Sequence, residues 1–211
     1  ASEIYDRAKE NAEPNLEMFI HVTKDGFGAM GHVDICYKGR IISFGNYDTN
    51  SERLFGAMGD GVLFSADREK YIEFCKRENH KTLLGYGLAL SPEQLAAVDK
   101  EIAKLMSLTV PWDPPKTVKP KRPGIDKEEP MYAYKLKQEA DGRLYKFTSS
   151  KFKTYFVMST NCVLLADTIV GAAGTDILSV RGFISPGTYQ DYLDKEFERP
   201  HSLVVTKRVY Q

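Results

Sequence analysis

At 211 residues the chain is long enough for one domain with a substantial core, and a single domain over 1–211 is expected. Twenty-nine Lys and Arg balance 29 Asp and Glu, so no net field draws in a phosphate backbone or an anionic membrane, which argues against a nucleic-acid partner. Hydrophobic residues make up 42%, with 12 Tyr and 11 Phe, which excludes a disordered chain, and no apolar run approaches the ~18 residues of a transmembrane span.

Glu17 to Thr23 reads as a strand, followed by a glycine-rich turn from Asp25 to Gly31. His32–Tyr37 and Arg40–Asn46 then flank Lys38-Gly39 as the arms of a hairpin, with glycine where positive φ is easiest. Gly26 to Gly31 spells GxGxxG, but it leads into a strand. A dinucleotide site needs a helix N-terminus at that point, so the stretch is read as a turn. Gly56 to Gly61 has no GK[ST] after it and is not a P-loop. After a short strand at Val62–Ser65, Asp67 caps a helix to about Glu78. Its Tyr71, Phe74 and Cys75 form an apolar stripe that places Cys75 in the core. Thr82–Leu90 is the next strand. It runs into Ser91-Pro92-Glu93-Gln94, where Ser caps, Pro takes the first helical position and Gln closes a capping box on a helix to about Met106.

Six of the ten prolines fall between Pro111 and Pro130, which predicts an extended surface loop. Its five basic and four acidic side chains nearly cancel, against a basic binding arm. Trp112 suits either a lid over a cleft or a solvated linker. Tyr132–Lys137 and Arg143–Phe147 read as a second hairpin around Ala140-Asp141-Gly142, with Thr154–Met158 as a further strand. From Asn161 to Val170 the apolar residues cover nearly the whole helical circumference, which marks a buried helix ended by Gly171. A Ser185–Thr188 turn, a helix near Tyr189–Phe197 and a strand at Ser202–Val209 complete a mixed order. The class is α+β with an antiparallel sheet.

Cys36, Cys75 and Cys162 are odd in number and widely spaced, so neither a disulfide framework nor a CxxC metal site is expected. His21, His32, His80 and His201 show no HxxxH or HxH pairing; no metal and no cofactor is predicted. Cys162 stands on the first turn of the buried helix, where free amides and the helix dipole favour thiolate over thiol. Its own backbone N–H can hold the oxyanion of an attacked carbonyl. The alternative is a small cysteine packing the helix end.

His32 opens a strand beside Gly31, which leaves room for a substrate or a facing helix, and it shares a face with Asp34 and Cys36. A two-residue turn at Lys38-Gly39 pairs Asp34 with Ser43 and makes Ser43 a neighbour of His32, able to orient the imidazole. Asn46 reaches the same face only with a bulge, though an amide oxygen is the better acceptor. Asp34 and Cys36 suit cleft lining or plain packing, His21 belongs on a neighbouring strand with its face unassigned, and Asp167 is expected at a polar edge.

Gly31-His32-Val33-Asp34-Ile35, a second strand ending Ser43-Phe44-Gly45-Asn46-Tyr47, and far downstream Asn161-Cys162 opening an apolar helix resemble a circularly permuted papain-like cysteine hydrolase. NlpC-type cell-wall peptidases carry the Cys first and the His strand later. The permuted branch, with the lecithin retinol acyltransferase relatives and bacterial lipoprotein-like hydrolases, has His first and Cys last, as here. The resemblance implies Cys162 as nucleophile, His32 as general base and Ser43 at the third polar position, where the family usually carries His, Asn, Gln or Glu.

The function expected is cleavage of an amide bond, in a peptide or cell-wall peptide, through an acyl-enzyme. Alternatives are a lipid-ester hydrolase or acyltransferase using the same dyad, and a non-catalytic binding module on the same fold. The resemblance implies a bacterial, secreted or cell-envelope setting, with a cytoplasmic one still open. A start at Ala1 without Met suits either a piece prepared for expression or the mature part of an exported protein, and leaves open an upstream signal or anchor.

Overall fold

The computed structural model describes residues 13–22, 31–79, 82–119, 123–124, 126–174 and 185–211. The glycine-rich turn up to Met30, His80, and residues 120–122 and 125 of the proline-rich stretch lie outside them. In chain order the elements begin with β1 (Leu16–Val22), β2 (His32–Tyr37), β3 (Arg40–Gly45), β4 (Met58–Asp60), β5 (Val62–Asp67), α1 (Arg68–Asn79) and β6 (Thr82–Leu88). They continue with α2 (Pro92–Ser107), β7 (Thr109–Pro111), β8 (Thr117–Val118), β9 (Glu129–Pro130), α3 (Tyr132–Glu139) and β10 (Arg143–Phe147). The last are β11 (Thr154–Phe156), α4 (Cys162–Gly171), α5 (Pro186–Glu198) and β12 (Val204–Tyr210).

Eight strands form one sheet in the order β12-β6-β1-β2-β3-β5-β10-β7, every neighbouring pair antiparallel. The chain is α+β, as its sequence predicts. The hairpin at its centre has the expected register: Tyr37 faces Arg40 and Ile35 faces Ile42, which sets Asp34 opposite Ser43. Lys38 and Gly39 both take positive φ, 51° and 75°, the backbone of a two-residue turn whose twist matches that of the strands it joins.

Strand alternation sends side chains to opposite faces, and each face buries its own apolar layer. Val33, Ile35 and Phe44 pack with residues of α2, α4 and α5, among them Val98, Val163, Ile169, Tyr189 and Leu193. On the other face Cys36, Ile41 and Phe64 pack with α1 and α3 through Tyr71, Phe74, Cys75, Ala133 and Leu136. The sheet is therefore covered on both sides, with α4 lying against β2 and β3.

Capping follows the local chemistry. Ser91 and Gln94 form the reciprocal capping box of α2. Ser185, read as part of a turn, is the N-cap of α5 and accepts from the Thr188 amide with Pro186 in the first turn, the same Ser-Pro opening that starts α2.

One predicted element is of the wrong type. Tyr132 to Lys137 is not a hairpin arm but the start of helix α3. Tyr132, Tyr134 and Leu136 alternate like a strand, yet the side chains that bury are Ala133, Leu136 and Ala140, a helical spacing. The 111–130 stretch is also less of a free loop than expected. It holds the small β8–β9 ribbon, and Val118 is buried. Trp112 donates its amide to the Leu144 carbonyl at 2.9 Å and packs into the α1/α3 layer, not over a cleft. Among the described residues no helix is long and apolar enough to cross a membrane.

Candidate active site

Cys162 is the first residue of α4 and is buried. Asn161 caps the helix, accepting from the Leu164 amide at 3.1 Å, while its own amide donates to the Val157 carbonyl at 3.1 Å. The cap thus fixes the approach of the chain to Cys162 and occupies the Leu164 amide, with the Cys162 backbone N–H in the first turn next to the thiol. His32 opens β2, and Cys162 is within hydrogen-bonding reach of its imidazole. The structure brings together two residues 130 positions apart in sequence.

Behind the imidazole lies a polar network larger than the sequence indicates. His32 Nε2 is 2.6 Å from Ser43 Oγ, and Ser43 Oγ is 2.9 Å from the Tyr47 hydroxyl, itself 3.3 Å from Nε2. Nε2 also stands 2.6 Å from Asp34 Oδ1. That contact is an ion-pair approach: Oδ1 is buried and has no hydrogen-bond partner of good geometry among the described residues. Asp34 Oδ2 receives the Tyr71 hydroxyl at 2.7 Å and lies 2.5 Å from His21 Nε2. His21 and His32 face each other across β1 and β2, so two histidines that look scattered in sequence share one carboxylate.

Burial is the largest influence on His32 and opposes its charge, but Asp34 and Cys162 outweigh it and hold the imidazolium well above the ordinary histidine range. Asp34 shows the complementary balance. Burial alone would raise its pKa, and the two imidazoles instead hold the carboxyl well below the usual carboxylate range. Burial, then the Asp34 charge, push the Tyr47 and Tyr71 phenols up, keeping both as neutral donors.

Ser43 sits beside His32, as the hairpin register predicts. Asn46 does not, because its side chain turns away and donates to the Gly56 carbonyl at 3.0 Å. The acid within reach of His32 is Asp34, for which the sequence alone suggests either cleft lining or packing. The signal was present in the i, i+2 spacing that puts both on one face of a strand. The room expected beside Gly31 is taken: a Cβ there would lie 2.6 Å from the His21 carbonyl oxygen and 3.4 Å from Pro186 Cβ. Asp167 is half-buried on α4. Its Oδ1 is buried without a hydrogen-bond partner among the described residues, and burial pushes its pKa up to about 6.

A cleft of about 330 Å³ opens over the network, lined by His21, His32, Asn46 and the rings of Tyr47, Tyr71, Tyr132 and Tyr155. Burial, and the neighbouring Cys162, push the Tyr155 phenol up, while Cys162 itself is not among the cleft-lining residues. His21, His32 and Asp34 each direct one ligand-type atom to a common point, all within 4.8 Å of one another. This grouping corrects the expectation, drawn from sequence spacing, that the histidines stand apart. No protein-family model, curated protein or solved structure matches the chain.

Proposed function

We propose that the chain is a cysteine hydrolase on a circularly permuted papain-like fold, cleaving an amide bond in a peptide or cell-wall peptide. The observation that carries this reading is His32 held between Cys162 at a helix N-terminus and the Asp34/Ser43 pair. His32 takes the proton of the Cys162 thiol, and the sulfur attacks the carbonyl carbon. The oxyanion forms next to the Cys162 backbone N–H. The tetrahedral species collapses as His32 returns the proton to the leaving amine, leaving a thioester. Water, deprotonated by His32, then attacks the thioester, releasing the carboxylic acid and restoring the thiol.

Asp34 and Ser43 fix the ring, and the Asp34 charge stabilises the imidazolium that appears in each step. A cleft lined by two histidines and four tyrosines, with both polar and aromatic surface, suits a peptide segment. A secreted or cell-envelope setting goes with a cell-wall substrate. The test is turnover of peptidoglycan fragments and peptide libraries by the wild type and Cys162→Ala. Turnover lost in a folded Cys162→Ala supports the reading; full turnover in that variant refutes it.

One observation favours a lipid ester instead. Leu54, Phe55 and Met158 are exposed, and their loops are joined by the Val157 amide donating to the Ala57 carbonyl at 2.9 Å, close to the cap of Cys162. Release of fatty acid from ester substrates, with peptides left intact, selects this alternative.

A further inference from the structure

We propose that His21, His32 and Asp34 form a binding site for a divalent transition metal of the Zn²⁺ class, reached from the tyrosine-lined cleft. The three donors come from two adjacent strands whose register is fixed. His21 pairs with His32 across β1 and β2, and Asp34 lies two residues beyond His32 on the same face. Two imidazole nitrogens and one carboxylate are the donor set of zinc and its neighbours, not the all-oxygen set of Mg²⁺ or Ca²⁺.

A second, independent observation points to a cation. Asp34 Oδ1 is fully buried and has no hydrogen-bond partner among the described residues, and its ion-pair neighbour His32 Nε2, 2.6 Å away, also hydrogen-bonds with Ser43 Oγ. A metal between Nε2 and Oδ1 satisfies both atoms. Metal–nitrogen and metal–oxygen bonds of ~2.0–2.2 Å in a tetrahedral arrangement put the donors roughly 3.3–3.5 Å apart. The present contacts of 2.5 and 2.6 Å therefore open by less than about 1 Å, which side-chain rotation on fixed strands supplies. Tyr71, bonded to Asp34 Oδ2 at 2.7 Å, orients the carboxylate, and the cleft leaves a position for water. The metal takes the Nε2 lone pairs, and any proton on those nitrogens passes to bulk water.

A metal on His32 removes the base from Cys162, so the bound form of the enzyme is switched off. That consequence rests on the hydrolase reading; the binding does not. The experiment titrates chelator-stripped full-length protein with Co²⁺, followed by visible absorption, and with Zn²⁺, followed by calorimetry. The wild type and Cys162→Ala are expected to bind one equivalent equally, without a sulfur-to-cobalt charge-transfer band. His21→Gln and His32→Gln each weaken binding by about 100-fold or more, at least the upper end of what loss of an outer partner costs. His32 is a quarter exposed, so its variant keeps the test valid if the buried His21 variant fails to fold. Absence of binding at millimolar metal, or unchanged binding in folded His21→Gln and His32→Gln, overturns the site. So does a charge-transfer band that disappears with Cys162→Ala. Because the Cys162→Ala arm reads binding without catalysis, failure of the metal site and failure of the hydrolase reading give different results.

Discussion

His32 and Asp34 stand two residues apart on one face of β2, with the imidazole Nε2 2.6 Å from the carboxylate Oδ1. The two are mutually dependent: the carboxylate stays ionised at full burial because His32 and His21 face it, and His32 keeps its charge in part because the carboxylate is there. Asp34→Asn removes the charge and keeps the shape. Turnover of the proposed substrate is expected to fall by roughly 10²–10⁴-fold, the range of a general base made ineffective. A depressed carboxylate pKa contributes stability above its unfolded value near ~3.9 and loses it as pH falls through the folded value. The acid limb of the stability curve should therefore flatten in this variant, as read by chemical denaturation between neutral and strongly acid pH.

Gly31 sits where β2 starts, against the backbone of β1. Gly31→Ala places a methyl 2.6 Å from the His21 carbonyl oxygen, a backbone atom that cannot swing aside. A loss of about 1–3 kcal/mol is expected, as for other overpacked sites, together with reduced activity because His32 is the next residue. Denaturant midpoints and turnover measured on the same preparation check both.

Asp167 is a half-buried acid that the proposed chemistry leaves unused. Its folded pKa of about 6 lies above the unfolded value of ~3.9, so ionisation destabilises the fold. The sign follows: the penalty is absent below about pH 4, grows between the two values and is complete above about 6. Asp167→Asn is expected to stabilise the protein by on the order of 1 kcal/mol at pH 8, less than the full shift implies because the half-exposed carboxylate is screened by solvent, and by nothing at pH 4. Thermal melts at the two pH values separate this from a pH-independent packing gain.

Leu54 and Phe55 both take positive φ, 51° and 57°, and the Phe55 ring is fully exposed. Its side chain thus adds no packing to offset a backbone cost of ~1–2 kcal/mol. Phe55→Gly should raise stability by about 0.5–1 kcal/mol after the greater freedom of glycine in the unfolded chain is allowed for. If these residues meet an ester substrate, the same change lowers activity on it.

Much of this arrangement was legible where it depended on short-range rules. Lys38-Gly39 set the hairpin register, the register put Ser43 beside His32, and Asn161 marked the start of the Cys162 helix. Helix α3 was misread because a six-residue window fits both periods and its buried alanines, Ala133 and Ala140, carry little hydrophobic signal. His21 and Tyr71 were out of reach for another reason. Their meeting at Asp34 depends on β1 pairing with β2 and on α1 covering one face of the sheet, neither of which periodicity specifies. The pairing of β4 with β11, nearly a hundred residues apart, is of the same kind.

The proposed role of Cys162, a nucleophile whose reactivity depends on His32, is open to test by alkylation of the native protein at mildly acidic pH with a chelator present, the adduct located by peptide mass spectrometry. Cys36, whose thiol burial pushes up to about 12, and the buried Cys75 serve as internal controls. A single adduct at Cys162 is expected in the wild type, lost or strongly slowed in His32→Ala. An unreactive Cys162 in the native protein, or equal labelling in both proteins, would contradict it.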